Sequence, residues 1–202
     1  AITDGVSGGL DDLVDRAAAA VAGGQGATCV QVRLKGEPDR VVAVVTQTLV
    51  KRLGATVPVL VNDRFDIALA AGAAGVHLGA DDIPVAIVRR VTPPEFLIGT
   101  SVGCDAEVAN AALADYVGIG PIYATGSKGD AGAAIGVAEF ARLLTLVAKP
   151  AVGIGGITSD TAGAIIDAGG AGVAVIGAVF GATDPSEAAQ AIRRVVEQRL
   201  FS

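Results

Sequence analysis

Two short apolar runs, each ending in acidic residues, follow one another along this chain: VLVNDRFD at residues 59–66 and GVHLGADD at residues 75–82. Both runs have the length and the β-branched content of buried strands. Each strand would present a carboxylate just after its C-terminal end, Asp63 in the first case and Asp82 in the second. Mg²⁺ is usually held by one or two carboxylates, with water and substrate phosphates as the other ligands. The two stretches therefore predict a site for magnesium and a diphosphate.

The pattern of an apolar run, a turn and an Ala-rich amphipathic segment recurs roughly every 20 to 30 residues. It predicts eight parallel strands with intervening helices, which close into a single (β/α)8 TIM barrel. A doubly wound open sheet is the competing architecture, but polar residues follow nearly every run rather than one switch point. The expected strands are Ala1–Thr3, Cys29–Leu34, Val57–Asn62, Gly75–Leu78, Leu97–Val102, Tyr116–Gly120, Ala151–Ile154 and Gly172–Ile176, and the expected helices are Leu10–Ala22, Pro38–Leu53, Arg64–Ala71, Pro84–Val91, Ala106–Ala114, Val137–Val147, Ser159–Ala168 and Pro185–Arg199.

The composition indicates one enzyme-sized domain over residues 1–202. The chain is 51% hydrophobic and carries a net charge of -6, so it can bury one core but lacks the basic surface that nucleic-acid binding needs. No apolar run approaches the roughly 18 residues of a membrane span. Cys29 and Cys104 have no CxxC spacing, which fits free thiols in a reducing cytoplasm. The chain begins at Ala1 and contains no Met, so trimming or membership of a longer fusion stays open.

The stretch CVQVRLK at residues 29–35 places three polar side chains on one face of a strand. Because successive strand residues point to opposite faces, Gln31, Arg33 and Lys35 face one way and their apolar neighbours face the helices. The active site of such a barrel lies at the C-terminal ends of its strands, so two cations there predict an anionic ligand. The alternative is an internal ion-pair network in which both cations neutralise Asp63 and Asp82.

Two further regions predict phosphate binding. The segment YVGIGPIYATGSKGD at residues 116–130 leaves a strand through glycines and enters a hydroxyl-rich loop with one lysine. Hydroxyls, backbone N–H groups and a lysine are suitable donors to phosphate oxygens, and small residues favour a mobile lid. An ordinary flexible surface loop is the alternative. The runs AVGIGGIT at residues 151–158 and GVAVIG at residues 172–177 end the last two βα units, where bare backbone amides frequently bind phosphate.

Ser101 and His77 are polar residues inside predicted strands. Gly99 and Gly103 flank Ser101 and are expected to leave space there for a planar ligand. A serine whose hydroxyl is satisfied by the backbone is the alternative. His77 is expected to be a hydrogen-bonded core residue rather than a general base, and no catalytic role is assigned to it.

Taken in order, these motifs resemble those of the thiamin phosphate synthase family over essentially the whole chain. That family is a (β/α)8 barrel, a transferase that joins hydroxymethylpyrimidine diphosphate to a thiazole phosphate and releases pyrophosphate and thiamin phosphate. The resemblance implies small-molecule substrates, Mg²⁺ as cofactor and a cytoplasmic enzyme, with pairing into a homodimer as a further expectation. The motifs are QVRLK at 31–35, VNDR at 61–64, GVHLG at 75–79 with Asp82, GTS at 99–101, GPIYATGSK at 120–128 and VGIGGI at 152–157.

The resemblance also implies a role for individual residues. Two carboxylates would bind magnesium, four residues would take part in catalysis, and the rest would hold the substrates. In this sequence the magnesium ligands are Asp63 and Asp82; the diphosphate is held by Arg33, Lys35, Asn62, Thr125, Ser127 and Lys128; the pyrimidine is contacted by Gln31 and Ser101; the thiazole phosphate is held by the amides of Gly156, Ile176 and Gly177; and the catalytic group comprises Arg33, Lys35, Ser101 and Lys128.

The family mechanism would be dissociative: pyrophosphate leaves first, and the thiazole nitrogen traps a pyrimidine-stabilised carbocation. The chain departs from the common family pattern at Leu34, Ala80, Ala124 and Ser127, where an acidic residue, Gln, Pro and Thr are usual, and Ser127 keeps a hydroxyl. Two alternatives stay open. A related thiazole tautomerase would need a histidine where this chain has Pro121, and a catalytically silent phosphate-binding barrel would need broken metal ligands.

Overall fold

The computed structural model describes residues 1–5, 8–126 and 132–201, and its centre is a curled sheet of seven parallel strands. Strands that follow one another in sequence are also neighbours in the sheet, which is the arrangement that repeated βα units produce. The seven strands predicted after residue 28 are therefore confirmed, three with the predicted bounds and four shorter. Their bounds are β1 (Val30–Val32), β2 (Val59–Asn62), β3 (Gly75–Leu78), β4 (Leu97–Val102), β5 (Tyr116–Ile119), β6 (Ala151–Ile154) and β7 (Gly172–Ala174).

Helices connect the strands, and two of these connections differ from the prediction. The segment Asp105–Leu113, expected as an α-helix, is a 3₁₀ helix. Within it, the side-chain oxygen of Asn110 accepts a hydrogen bond from the Val85 N–H at 3.1 Å. A four-residue helix at Gly177–Phe180 had no periodic signal because it is barely one turn long. The α-helices are α1 (Leu10–Val21), α2 (Asp39–Leu53), α3 (Phe65–Ala71), α4 (Val85–Val91), α5 (Gly136–Val147), α6 (Ser159–Asp167), α7 (Gly177–Phe180) and α8 (Pro185–Leu200).

Residues 1–3 lie between the two outer strands of the sheet. The Ile2 N–H donates to the Val175 carbonyl at 2.9 Å, just beyond β7, and the Thr3 N–H donates to the Gln31 carbonyl of β1 at 2.9 Å. These residues form only an isolated bridge, in which Ile2 pairs with Gln31 of β1. The described chain therefore has seven strands where the sequence predicted eight.

The core explains why polar residues are left to the other face of the strands. Val30 and Val32 of β1 are fully buried in one apolar cluster with Val45 and Leu49 of α2. Burial of such a side chain stabilises the fold by about 1.5–3 kcal/mol, which holds each strand face against its helix. The alternate residues are thereby turned to the inside of the curled sheet.

A side chain caps the N-terminus of α8. Helix α8 begins after Asp184, whose carboxylate accepts hydrogen bonds from the amides of Ser186 at 2.8 Å and Glu187 at 3.1 Å, with Pro185 in the first helical position. None of the helices in the described part of the chain combines the length and apolar character that a bilayer crossing requires.

Candidate active site

A cavity of about 790 Å³ opens at the C-terminal ends of the strands. This volume lies in the usual range for small-molecule sites. Residues that follow every strand from β1 to β7 contribute to its walls, so the curl of the sheet brings seven separate loops to one place. A second cavity of about 600 Å³ lies at the opposite, N-terminal ends of the strands and is mostly apolar.

Asp63 and Asp82 face one another in the first cavity. Asp63 follows β2 in the left-handed conformation, with φ of 63°, and its N–H donates to the His77 carbonyl at 2.8 Å. The Asp82 carboxylate accepts a hydrogen bond from the Gly79 amide at 2.6 Å and lies beside the Asp63 carboxyl. Burial, and then the adjacent Asp82, raise the pKa of Asp63 from 3.8 to about 6, although the positive charges of Lys35 and Arg33 act in the opposite direction.

This pair of carboxylates fits Mg²⁺. Within the described residues no group of three or more His, Cys, Asp and Glu side chains could hold a metal ion. Two carboxylates with room for water and phosphate ligands are what Mg²⁺ commonly uses. Burial is the larger cause of the raised pKa of Asp63, and the charge of Asp82 adds to it, so the ionised pair is unfavourable without a cation. A divalent cation between them would remove the repulsion between the two carboxylates.

Arg33 is the most buried cation of the cavity, at 6% exposure. Its backbone N–H donates to the Thr3 hydroxyl oxygen at 2.9 Å, and its guanidinium lies 3.8 Å from the Asp4 carboxylate. The Arg33 Nε has no hydrogen-bond partner anywhere in the described ranges, although buried polar groups are nearly always paired. An anion in the cavity would satisfy this donor. Lys35 lines the same cavity two residues further along.

Glycines bring the loops after β5 and β6 into direct contact. Gly155 and Gly156 have φ of 96° and 64°, which non-glycine residues rarely adopt. A Cβ atom at Gly156 would lie 2.7 Å from the carbonyl oxygen of Ala124, and the Tyr123 N–H donates to the Gly155 carbonyl at 3.0 Å. Thr125, which follows Ala124, lines the cavity.

The sequence model of the family described as thiamine monophosphate synthase matches residues 1–179. The chain belongs to this family. The thiamine-phosphate synthase of Methanoculleus marisnigri is 46% identical over 197 residues, covering 95% of this chain and 92% of that protein. The protein of the same name from Azorhizobium caulinodans is 44% identical over 188 residues, covering 92% of this chain and 88% of that protein. The solved structure of thiamine phosphate pyrophosphorylase from Pyrococcus furiosus is 35% identical in sequence and superposes with a TM-score of 0.85. The match covers 98% of this chain and 95% of that chain.

Most of the site residues predicted for this thiamine monophosphate synthase family member line the first cavity. Gln31 does not: it lies in the middle of β1, two residues before Arg33, which follows that strand, and it lines the second cavity. Ser127 and Lys128 lie outside the described residues. The predicted residues on the cavity wall are Arg33, Lys35, Asn62, Asp63, Asp82, Ser101, Thr125, Gly156, Ile176 and Gly177.

The prediction that Gly99 leaves space for a planar ligand is wrong. A Cβ atom at Gly99 would lie 2.2 Å from Cζ of Tyr116, so the ring of Tyr116 fills that space. Ser101 lines the cavity as expected, and its hydroxyl is hydrogen-bonded to His77 rather than to the backbone. His77 is hydrogen-bonded, as predicted, but it also lines the cavity of the family's candidate active site.

The sequence alone did not predict a role for three residues near the site. Asp4 pairs with Arg33, and Glu107, which lines the cavity, accepts a hydrogen bond from the Gly103 amide at 2.6 Å. Tyr116 contacts His77 from the strand two positions away. Asp4 could have been found, because it follows the first apolar run as Asp63 and Asp82 follow theirs.

Proposed function

We propose that this chain joins a hydroxymethylpyrimidine diphosphate to a thiazole phosphate, giving thiamin phosphate and pyrophosphate. One observation supports this most strongly: the carboxylates of Asp63 and Asp82 face one another in the same cavity as the buried guanidinium of Arg33, whose Nε has no hydrogen-bond partner among the described residues. Such a cavity suits a diphosphate with a divalent cation. The names of the relatives, which match nearly the whole chain, agree with this proposal.

In this proposal the diphosphate lies on the side of the cavity formed by β1, β2 and β3. Arg33, Lys35 and Asn62 donate to its oxygens, and Asp63 and Asp82 hold Mg²⁺. When bound, Mg²⁺ supplies positive charge that neutralises the diphosphate and the departing pyrophosphate. Thr125, with Ser127 and Lys128 of the same loop, completes the diphosphate site. The amides of Gly156, Ile176 and Gly177, which line the same cavity beyond β6 and β7, hold the thiazole phosphate.

The proposed reaction is a substitution at the methylene carbon of the pyrimidine. The carbon–oxygen bond to the diphosphate breaks with its electron pair going to pyrophosphate, and the lone pair of the thiazole nitrogen forms the new carbon–nitrogen bond. Arg33 and Lys35 stabilise the negative charge that develops on pyrophosphate. Exclusion of water from the cavity protects the carbocation, which water would otherwise capture. No residue has to act as a strong general base.

We also propose that the sheet closes into an eight-stranded (β/α)8 barrel, as one domain over residues 1–202. The hydrogen bonds of residues 1–3 to Val175 on one side and to Gln31 on the other support this closure. In such a barrel, the loops after all the strands surround one mouth.

A direct assay tests the function. Purified protein is mixed with the pyrimidine diphosphate, the thiazole phosphate and Mg²⁺, and pyrophosphate and thiamin phosphate are followed together. Equal amounts of both products, lost on adding a chelator and restored by Mg²⁺, are expected. Binding of either substrate without product would refute the synthase activity, and isomerisation of the thiazole phosphate alone would identify a tautomerase instead.

A further inference from the structure

A hydrogen-bonded series of three side chains crosses the inside of the sheet. His77 on β3 pairs in register with Gly99 on β4, and Gly99 pairs with Tyr116 on β5. Because Gly99 has no side chain, the Tyr116 ring extends across it, and the phenol oxygen lies 3.0 Å from Nδ1 of His77. On the other side of the imidazole, Nε2 lies 3.1 Å from Oγ of Ser101. The series therefore runs from Tyr116 through His77 to Ser101.

Its two ends lie in different surroundings. Ser101 and His77 line the cavity of the candidate active site, whereas Tyr116 lines the cavity at the other end of the strands. Gly118 leaves room for the imidazole, since a Cβ atom there would lie 3.2 Å from Cε1 of His77. Among the described residues, Tyr116 is linked to the site through its hydrogen bond to His77, which lines both cavities. Two glycines make that contact sterically feasible.

The direction of the hydrogen bonds follows from the phenol. Burial raises the pKa of Tyr116 well above its usual value, so the phenol keeps its proton. In the described part of the chain, its hydroxyl has one hydrogen-bond partner, Nδ1 of His77. A buried hydroxyl that only accepted would leave its proton unpaired, which is unfavourable. The phenol therefore donates to Nδ1, and a neutral imidazole then carries its hydrogen on Nε2.

We propose that Tyr116 is a positioning residue that holds His77 in the Nε2–H form, so that His77 donates to Ser101 and the Ser101 hydroxyl is free to donate to an acceptor nitrogen of the pyrimidine. With the opposite tautomer, the Ser101 proton would point at the imidazole instead of the ligand. The identity of the ligand in this inference rests on the proposed function. The tautomer does not, because it is a property of the protein alone.

Nuclear magnetic resonance tests the tautomer directly, since His77 is the single histidine of the sequence. An untagged protein labelled with ¹⁵N-histidine gives one imidazole, whose long-range proton–nitrogen correlations distinguish the two neutral tautomers from the imidazolium. At neutral pH we expect the Nε2–H form. The Tyr116→Phe variant should give a mixture of tautomers, whereas Tyr123→Phe, which removes the other phenol of the chain, should match the unmodified protein. An Nδ1–H form or an imidazolium in the unmodified protein would overturn the proposal, as would an unchanged spectrum in Tyr116→Phe.

Kinetics test the effect on the site. Tyr116→Phe should raise KM for the pyrimidine diphosphate about five- to tenfold, as expected for one lost hydrogen bond, with KM for the thiazole phosphate changed less than about twofold. In a Ser101→Ala background, Tyr116→Phe should have no further effect, because Tyr116 acts through Ser101. An additive effect, or an unchanged KM in the single variant, would refute the positioning role. Absence of activity in the unmodified protein would refute the synthase function while leaving the tautomer result intact.

Discussion

Replacing Asp63 by Asn should make the metal-free protein more stable while abolishing its activity. The folded protein raises the pKa of Asp63 from 3.8 to about 6. Protonated Asp63 therefore contributes stability that is fully present below about pH 4 and is lost as the pH rises through about 6. At about pH 7.5 the unmodified protein must ionise this carboxyl beside Asp82, whereas the asparagine side chain of the variant carries no charge. Asn also tolerates the left-handed backbone, so Asp63→Asn adds little strain.

The size of the gain follows from the pKa difference. About two pH units would correspond to about 3 kcal/mol, at about 1.4 kcal/mol for each unit. Asp63 is only partly buried, so solvent screening reduces this to about 1–1.5 kcal/mol. For a chain of this length, the melting temperature of Asp63→Asn should lie about 2–5 °C above that of the unmodified protein. Turnover should be lost, because a magnesium ligand is gone.

Thermal unfolding in a chelator, at about pH 4 and about pH 7.5, measures this gain. The difference between the two proteins should vanish at the lower pH. Mg²⁺ at about 100 times Kd should reverse the order, because it stabilises only the unmodified protein, by about 2.7 kcal/mol. Asp81→Asn is the matched control: it removes one negative charge from the loop of Asp82 and should keep both activity and the Mg²⁺ effect. A lower melting temperature of Asp63→Asn at neutral pH, or equal stabilisation of both by Mg²⁺, would refute the reasoning.

Three further substitutions separate binding from stability. Arg33→Met should raise KM for the pyrimidine diphosphate about 10- to 100-fold, because charge-assisted hydrogen bonds are lost. Its melting temperature should be unchanged or higher, since a buried charge becomes apolar. A raised KM accompanied by a lower melting temperature would contradict this prediction. Gly156→Ala forces a Cβ atom against the Ala124 carbonyl and should raise KM for the thiazole phosphate at least about tenfold, because hydrogen bonds from the displaced amides are lost. Gly132→Ala, which has open space at its Cβ, is the control and should leave this KM unchanged. Asp184→Ala removes the cap of α8 and should lower the melting temperature by about 2–4 °C with kcat intact; altered kinetics would show that α8 influences the site.

Local patterns in the sequence were sufficient to predict the seven strands from β1 to β7 and their order. An apolar run and the glycine or proline that ends it lie within a few residues, and their signals do not depend on distant parts of the chain. The same locality explains why Asp63 and Asp82 could be placed at one edge of the sheet. Parallel strands end on the same side, so two acids that follow neighbouring strands come together wherever the helices pack.

Contacts between distant residues were decided only by the tertiary structure. Pairing of Asp4 with Arg33 depends on how residues 1–3 insert beside β1, and no local pattern shows which of the two cavities Gln31 lines. Gly99 was expected to make room for a ligand but makes room for Tyr116. A glycine leaves space wherever it stands in a strand. Which side chain fills that space depends on the register of the neighbouring strand, which is set by the packing of the whole sheet.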